Sequence, residues 1–305
     1  MYVKPGDFKI VFSIILFSFI FFRLVYIDIQ KRIAIRRRVL FIQVNEGPGA
    51  SVLLLHGILG SHRYWTKLII LLQKEFRIFA PDLLGFGDSP KPYLKYTVDD
   101  HLGYIERTID PLMIIDTKII IIGHSMGAIL ALNYAIKNPQ KVKALVLINP
   151  PFSESEDDLQ KSMENSSANL ISAMTFNLYW GYMICKIHEI MPRLPYPLIR
   201  WAEPDLPAPV AWDTTKHSWE SITGSLKNVL QKQNIFKLLP QVKELPLLLI
   251  TSENDIYSTA ENLQRLKDIA SIEVQIFKGD HNFLLLNPED PAAVIQNFLH
   301  RIKAN

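Results

Sequence analysis

The chain has 305 residues, 49% of them hydrophobic and 21% charged, a composition that suits a globular protein with a large core. The small net charge of +3 comes from one basic window, made up of Arg23, Lys31, Arg32, Arg36, Arg37 and Arg38. The remainder is slightly acidic, which argues against a nucleic-acid surface on the main domain. A single cysteine, Cys185, excludes an internal disulfide. The cysteine and histidines do not have the spacing of a metal site. The sequence predicts no cofactor.

The first predicted element is an apolar segment at the N-terminus. Residues Ile10–Phe22 carry no charge, and the apolar character continues past Arg23 to Ile27. With Arg23 snorkelling, the segment reaches the length of about 20 residues that a bilayer requires. It is apolar on all sides, which disfavours a helix packed on a globular domain. We therefore expect residues 1–38 to form an uncleaved single-pass membrane anchor followed by a basic linker.

A cleaved signal peptide is the main alternative for this segment. It is disfavoured because no small-x-small cleavage site follows the apolar run, and the bulky Phe21-Phe22-Arg23-Leu24 follows instead. The basic cluster after the segment outweighs Lys4 and Lys9 before it. The positive-inside rule then places the main domain on the cytoplasmic side of the membrane.

Beyond residue 38, short β-branched runs alternate with amphipathic stretches of helix length. Strands are predicted at Ser51–Leu55, Arg77–Ala80, Lys118–Ile122, Ala144–Ile148, Leu247–Thr251 and Glu273–Phe277. Helices are predicted at Trp65–Gln73, Thr97–Ile109, Met126–Asn138, Thr259–Ala270 and Pro291–Lys303. Several strands, such as Ile119–Ile122, are continuously apolar, as expected where a parallel sheet is buried on both faces. The pattern predicts a doubly wound, mostly parallel α/β sheet.

The alternation is interrupted between residues 151 and 240. This stretch is proline-rich and helical in character, and it holds the tryptophans Trp180, Trp201, Trp212 and Trp219. We expect it to be a helical cap inserted between two parts of one core, residues 39–150 and 241–305. Its aromatic residues could form the packing core of the cap, or could face the sheet.

The motif Gly123-His124-Ser125-Met126-Gly127 has the sequence context of a nucleophile elbow. It follows a predicted strand and leads into a predicted helix, a setting that holds a serine hydroxyl above the sheet. With this context, the chain over about residues 50 to 305 resembles the α/β-hydrolase family. The resemblance implies that Ser125 is a nucleophile, and that its partners follow in the order acid, then histidine.

The family pattern assigns the two partners of Ser125. His281, in Gly279-Asp280-His281-Asn282 after the last predicted strand, resembles the histidine loop of the family. Asp255 resembles the acid in the turn after the strand ending at Thr251, although Ser252 stands where the family has glycine, which leaves Glu253 as a competitor. Asp280 is adjacent to His281 in sequence and is interpreted as structural.

Two further segments match the family. His56-Gly57-Ile58-Leu59-Gly60 resembles its oxyanion loop, so the backbone N–H groups of Ile58 and Met126 are expected to stabilise a tetrahedral oxyanion. The segment Asp82–Ser89 matches an Asp-x-x-Gly-x-Gly-x-Ser stretch, for which an architectural role is expected.

Together these features favour a serine hydrolase that cleaves a carboxylic ester of a lipophilic substrate, such as a monoacylglycerol or lysolipid. The combination resembles membrane-anchored monoacylglycerol lipases of the fold. A carbon–carbon bond hydrolase, a perhydrolase and an acyltransferase would use the same triad and stay open, whereas epoxide hydrolases and haloalkane dehalogenases of the fold use aspartate in place of Ser125. A non-catalytic membrane-tethered binding protein is the alternative of another class, but it would usually lack a triad member. The sequence does not predict an oligomeric state.

Overall fold

The computed structural model describes residues 5–113, 117–152, 178–258, 260–266 and 272–304. Within them seven strands form one sheet in the order β1-β3-β2-β4-β5-β6-β7. Their bounds are β1 Ile42–Asn45, β2 Ser51–Leu55, β3 Arg77–Pro81, β4 Ile119–His124, β5 Val142–Ile148, β6 Leu247–Ser252 and β7 Glu273–Phe277. All neighbouring strands run parallel except β1, which pairs antiparallel with β3.

The six strands expected from the sequence are present, with ends that differ by at most two residues. Strand β1 was not predicted. It is an antiparallel edge strand of only four residues, of which Val44 is exposed.

Helices connect the strands and cover both faces of the sheet. Their bounds are α1 Pro5–Ala34, α2 Thr66–Leu72, α3 Val98–Ile109, α4 Met126–Lys137, α5 Leu178–Ile190, α6 Tyr196–Ala202, α7 Ala208–Asp213, α8 Trp219–Ser225, α9 Ile235–Leu238, α10 Ala260–Leu266, α11 Phe283–Leu286 and α12 Glu289–Ala304. Single turns of 3-10 helix lie at His62–Trp65, Asp110–Leu112, Pro139–Lys141 and Leu239–Val242, and a π-helical turn at Leu226–Leu230. The second half of the helix predicted at Thr259–Ala270 falls outside the described residues.

The sheet separates two apolar layers, which explains why β4 is apolar without alternation. Ile119 and Ile121 point into a layer with α3, α4 and α9. Ile120 and Ile122 point into the opposite layer, with α2, α11 and α12. Side chains of a strand alternate between faces, so a strand covered on both sides must be apolar throughout. The sheet is therefore doubly wound, as predicted.

Of the cap predicted at residues 151–240, residues 153–177 lie outside the described part of the chain. Its described part contains helices α5 to α9 and no strand. Two of its tryptophans pack within it, since Trp212 meets the ring of Tyr196 at 5.6 Å and Trp219 meets that of Tyr182 at 5.7 Å. Trp201, by contrast, is 81% exposed.

Helix α1 lies against this helical region with one end only. Arg23 donates a hydrogen bond to the carbonyl of Ile190, at the end of α5. Lys31 is buried between Glu189 and Glu220, at 3.1 and 2.7 Å. The apolar side chains from Phe12 to Phe22 are largely exposed.

Candidate active site

Ser125 occupies a strained turn between β4 and α4. Its backbone has φ 53° and ψ −119°, and residues other than glycine rarely adopt a positive φ. A Cβ on Gly123 would lie 2.4 Å from the carbonyl oxygen of Gly127, and one on Gly127 only 2.0 Å from that of Leu55. Only glycine fits at either position, and the tight turn holds Ser125 at the carboxyl edge of the sheet.

His281 and Asp255 form a hydrogen-bonded pair at the same edge. The imidazole Nδ1–H donates to Asp255 Oδ2 at 2.9 Å, and the carboxylate is fully buried while the imidazole is 23% exposed. The backbone N–H of Tyr257 donates to the other carboxylate oxygen at 2.7 Å. Glu253, the competitor considered from the sequence, is exposed. Asp255 is thus the carboxylate that orients the His281 ring.

A polar network beneath the pair positions the histidine loop. Asn149, whose φ is 42°, exchanges two hydrogen bonds with Ser252 and donates a third to the carbonyl of His281 at 3.0 Å. The Ser252 hydroxyl donates to the carbonyl of Asp280 at 2.6 Å. Ser252, which stands where the family has glycine, therefore ties the end of β6 to the histidine loop. The sequence motif gave no sign of this role.

His124, the residue before Ser125, is a second support of the histidine loop. Its Nε2–H donates to the carbonyl of His281 at 2.9 Å, and its ring stacks on Tyr64 at 4.5 Å. Desolvation, aided by the nearby His281, holds the pKa of His124 well below its usual range. A neutral His124 is thus a donor to the loop rather than a competing base.

The segment expected to form the oxyanion site passes directly over Ser125. A Cβ on Gly57 would lie 3.1 Å from the Ser125 Cβ. The loop turns through Leu59 with φ 59°, and His56 fixes it by donating from Nδ1 to the Gly57 carbonyl and accepting at Nε2 from the Leu83 amide. Ile58 lines the cavity above Ser125. Met126 is the first residue of α4, so its N–H has no acceptor within the helix.

A cavity of about 200 Å³ joins these groups. Ser125 and His281 both line it, beside apolar side chains of the cap and core that include Leu206, Val210, Leu226, Leu230 and Leu285. Among the described residues Ser125 Oγ forms no hydrogen bond with an imidazole nitrogen. Such bonds often tighten only when substrate binds. Glu203 is the one carboxylate in the described lining, and desolvation raises its pKa.

The Asp82–Ser89 segment has the architectural contacts expected of it. The buried Asp82 carboxylate accepts from the amide and Nδ1 of His62 and from the amide of Asp88. The hydroxyl of Ser89 donates to the Asp82 carbonyl and accepts from the Phe41 amide. These bonds join the loop after β3 to the one after β2.

The sequence interpretation missed one cluster of metal-ligand type, formed by Cys185, His188 and His217. Their ligand atoms lie within 4.8 Å of one another, because α5 places Cys185 and His188 on one face opposite His217. Each group also has a protein partner. The imidazoles donate to the carbonyls of His217 and Thr214, and the thiol lies 3.7 Å from His217 Nε2. Burial raises the pKa of Cys185 to about 12. The cluster is satisfied as a neutral network.

Comparison with known proteins identifies the fold. A family model described as alpha/beta hydrolase fold matches residues 50–288, which is most of the chain. The chain belongs to the alpha/beta hydrolase fold family. Within this family the strand–Ser125–helix turn and the pair at the ends of β6 and β7 lie where the sequence motifs predicted them. The family resemblance and the fold class inferred from the sequence are thus confirmed.

The curated relatives of this alpha/beta hydrolase are longer than the chain itself. It is 32% identical over 208 residues to "Probable lysophospholipase BODYGUARD 4" from Arabidopsis thaliana, covering 61% of the chain and 47% of that protein. It is 27% identical over 277 residues to "Probable lysophospholipase BODYGUARD 5" from the same plant, covering 81% and 61%. The chain therefore spans about half to three fifths of these relatives.

Solved structures with the same fold catalyse different reactions. An E-2-(acetamidomethylene)succinate hydrolase is 22% identical with a TM-score of 0.65, covering 86% of this chain and 95% of its own. An enol-lactonase from Burkholderia xenovorans LB400 is 17% identical with a TM-score of 0.65, covering 86% and 96%. At these identities the likeness concerns the fold alone. The family membership establishes the fold, and the activity has to be inferred from the site itself.

Proposed function

We propose that this alpha/beta hydrolase is a membrane-anchored serine esterase that cleaves a lipophilic carboxylic ester, such as a monoacylglycerol or a lysolipid. The observation that carries the proposal is the mainly apolar cavity that Ser125 and the Asp255-oriented His281 line together. A serine hydroxyl is a weak nucleophile until a base is held beside it, and an oriented histidine is that base.

In the proposed reaction Ser125 Oγ attacks the ester carbonyl carbon while His281 Nε2 takes the hydroxyl proton. Asp255 stabilises the imidazolium, and the amides of Ile58 and Met126 hold the oxyanion, at about 3 kcal/mol per donor. The intermediate collapses, and the leaving alcohol takes the proton from His281. Water, deprotonated by His281, then attacks the acyl carbonyl. The second collapse releases the acid and returns the proton to Ser125.

The lipid character of the substrate rests on two observations. The cavity wall is built mainly of Leu, Ile, Val and Tyr side chains, which favours an acyl chain over a polar group. The two Arabidopsis relatives are named probable lysophospholipases, which agrees with an ester of a single-chain lipid.

Helix α1 is the proposed anchor. One stretch of it, Phe12–Ala34, has a mean hydropathy of 2.1 over its most apolar window and is long and apolar enough to cross a membrane. A signal sequence meets the same test. We favour retention of the helix because Arg23 and Lys31 bond to Ile190, Glu189 and Glu220 in the folded domain.

Ester hydrolysis by the full-length protein in phosphatidylcholine vesicles tests the proposed activity. We expect hydrolysis of p-nitrophenyl esters and monoacylglycerols, with rates that rise beyond acetyl, and loss of activity in Ser125→Ala. Ser258→Ala is the matched control, since Ser258 is buried nearby and donates only to the Pro150 carbonyl. Activity confined to acetyl esters would contradict the lipid substrate, and equal rates in wild type and Ser125→Ala would contradict the mechanism.

Membrane anchoring and orientation are tested in intact cells. The protein should resist carbonate extraction. A cysteine introduced by Glu244→Cys, at a side chain that is 89% exposed, should react with an impermeant maleimide only after permeabilisation. Reaction in sealed cells would place the catalytic domain on the other side, and extraction by carbonate would refute the anchor.

A further inference from the structure

Exposed apolar side chains are concentrated in one part of the cap. Eight large ones fall within residues 182–201, against five in the rest of the described chain beyond residue 41. The eight are Tyr182, Met183, Ile184, Ile187, Met191, Leu194, Leu198 and Trp201. Trp201, at 81%, is the most exposed large apolar side chain described. A patch of this kind marks a surface that contacts something other than water.

The attachment of α1 determines where this patch lies relative to the proposed anchor. The apolar segment of α1, Ile10–Ile27, is about 27 Å long at 1.5 Å per residue, close to the thickness of a bilayer core of about 30 Å. Arg23 lies near the end of this segment and snorkels to the lipid–water boundary, so its guanidinium marks that boundary. It bonds to Ile190, and the patch continues from the next residue, Met191.

The composition of this segment suits a lipid–water boundary. Residues 191–201 contain Arg193 and Arg200 but no Asp or Glu. Leucine and tryptophan with basic residues are the side chains typical of surfaces that lie in the interfacial layer. A protein partner would also fit an apolar patch. We favour a bilayer, because the proposed anchor α1 already places the lipid–water boundary next to this segment.

The same segment leads directly into the cavity. Trp201 is the penultimate residue of α6, and Glu203 and Leu206, two and five residues further on, line the space above Ser125. Arg200 bonds to the carbonyl of Leu206, which ties the exposed helix to this wall. The segment that carries the apolar patch is therefore followed directly by two residues of the cavity wall.

We propose that residues 191–201 form a second membrane contact, which rests in the interfacial layer of the bilayer beside α1 and delivers single-chain lipid esters from the bilayer to Ser125. The proposal rests on the anchored esterase function proposed above. It adds that the cap dips into the membrane, so that substrate reaches the site without crossing water.

Depth-dependent quenching tests the contact in the full-length protein in vesicles. In the variants Leu198→Cys and Trp201→Cys, the new cysteine is labelled with an NBD fluorophore. Ile70→Cys, labelled in the same way, is the matched control, because Ile70 is 56% exposed on α2. The native Cys185 is buried and is not labelled. Spin-labelled lipids should quench the cap sites about three-fold more than the control, since interfacial side chains enter the acyl boundary by 5–10 Å. Equal quenching would overturn the proposal, as would a blue shift without quenching, which a covering protein or second copy would cause.

A substrate comparison tests the delivery route. Trp201→Glu should lower kcat/KM by about ten-fold for a monoacylglycerol in vesicles, corresponding to about 1.4 kcal/mol. It should leave hydrolysis of water-soluble p-nitrophenyl butyrate unchanged, and Ile70→Glu should affect neither. An equal loss on both substrates, or no loss on either, would overturn the delivery route. If the wild type hydrolyses neither ester, the proposed function fails, while the quenching result still decides the membrane contact.

Discussion

The core of this alpha/beta hydrolase fold and residues 182–201 of its cap treat their apolar side chains in opposite ways. Leu248, Leu249 and Ile250 in β6 are fully buried, whereas Leu194, Leu198 and Trp201 in the cap are about half to four fifths exposed. The core residues drive folding, because removing apolar surface from water is the main stabilising term. The cap residues contribute little to folding in water. The membrane contact proposed above accounts for their exposure, because it gives them an apolar phase to meet.

The two regions also divide the chemistry. The sheet edge supplies Ser125, His281 and Asp255 from turns that are held by hydrogen bonds from backbone and side-chain groups. The cap supplies the wall and the entrance. We infer that the core determines the reaction, and that the cap determines which ester reaches it.

We expect a substitution in the active site to have the strongest effect. Asp255→Asn should lower kcat for a soluble ester by about 10⁴-fold, because an amide no longer holds His281 in the tautomer that accepts a proton at Nε2. Steady-state kinetics measure this, with the exposed Glu253→Gln as the matched control. If Glu253→Gln were the more damaging substitution, the assignment of the acid would be wrong.

The contrast in burial predicts unequal effects on stability. Leu249→Ala should lower the free energy of unfolding by about 2–5 kcal/mol, because it leaves a cavity beneath the sheet. Leu198→Ala should change it by no more than about 0.5 kcal/mol. Urea unfolding of both variants in detergent measures the difference. A comparable loss in Leu198→Ala would mean that the cap surface is part of the folded core.

A smaller effect concerns the boundary of the two regions, where His101 of α3 bonds to Ser225 of α8 at 3.1 Å. Burial lowers the pKa of His101 to about 4, from about 6.5 in the unfolded chain. Below pH 6.5 the unfolded state binds the proton first, so stability falls between pH 6.5 and 4. At pH 5 the loss is about 2 kcal/mol.

His101→Gln should remove that part of the acid destabilisation, as seen in free energies of unfolding at pH 7.5 and pH 5. If wild type and variant lost equal stability between these two pH values, His101 would not be buried in a neutral form between core and cap.

The sequence predicted the core well because its signals are local. A continuous apolar strand, a glycine-flanked serine and an Asp or His after a strand each occupy a few neighbouring residues. The edge strand β1 was too short to register. The contacts of Asn149 with Ser252 and with the carbonyl of His281 could not be foreseen, because they join residues 103 and 132 positions apart.

The cap resisted prediction for a related reason. Its helices are short and interrupted by proline, so their bounds depend on packing rather than on periodicity. The cluster of Cys185, His188 and His217 arises only when α5 meets the loop before α8. The exposure of Trp201 is also a property of the folded chain, since composition alone places four tryptophans in this region without saying which one faces outward.

Active-site labelling tests directly whether Ser125 is an activated nucleophile. A fluorophosphonate probe should label the folded full-length protein, and labelling should persist in Ser258→Ala and disappear in Ser125→Ala. Ser125 would not be the activated nucleophile if folded wild-type protein took up no probe. The same conclusion would follow if Ser125→Ala were labelled as strongly as wild type.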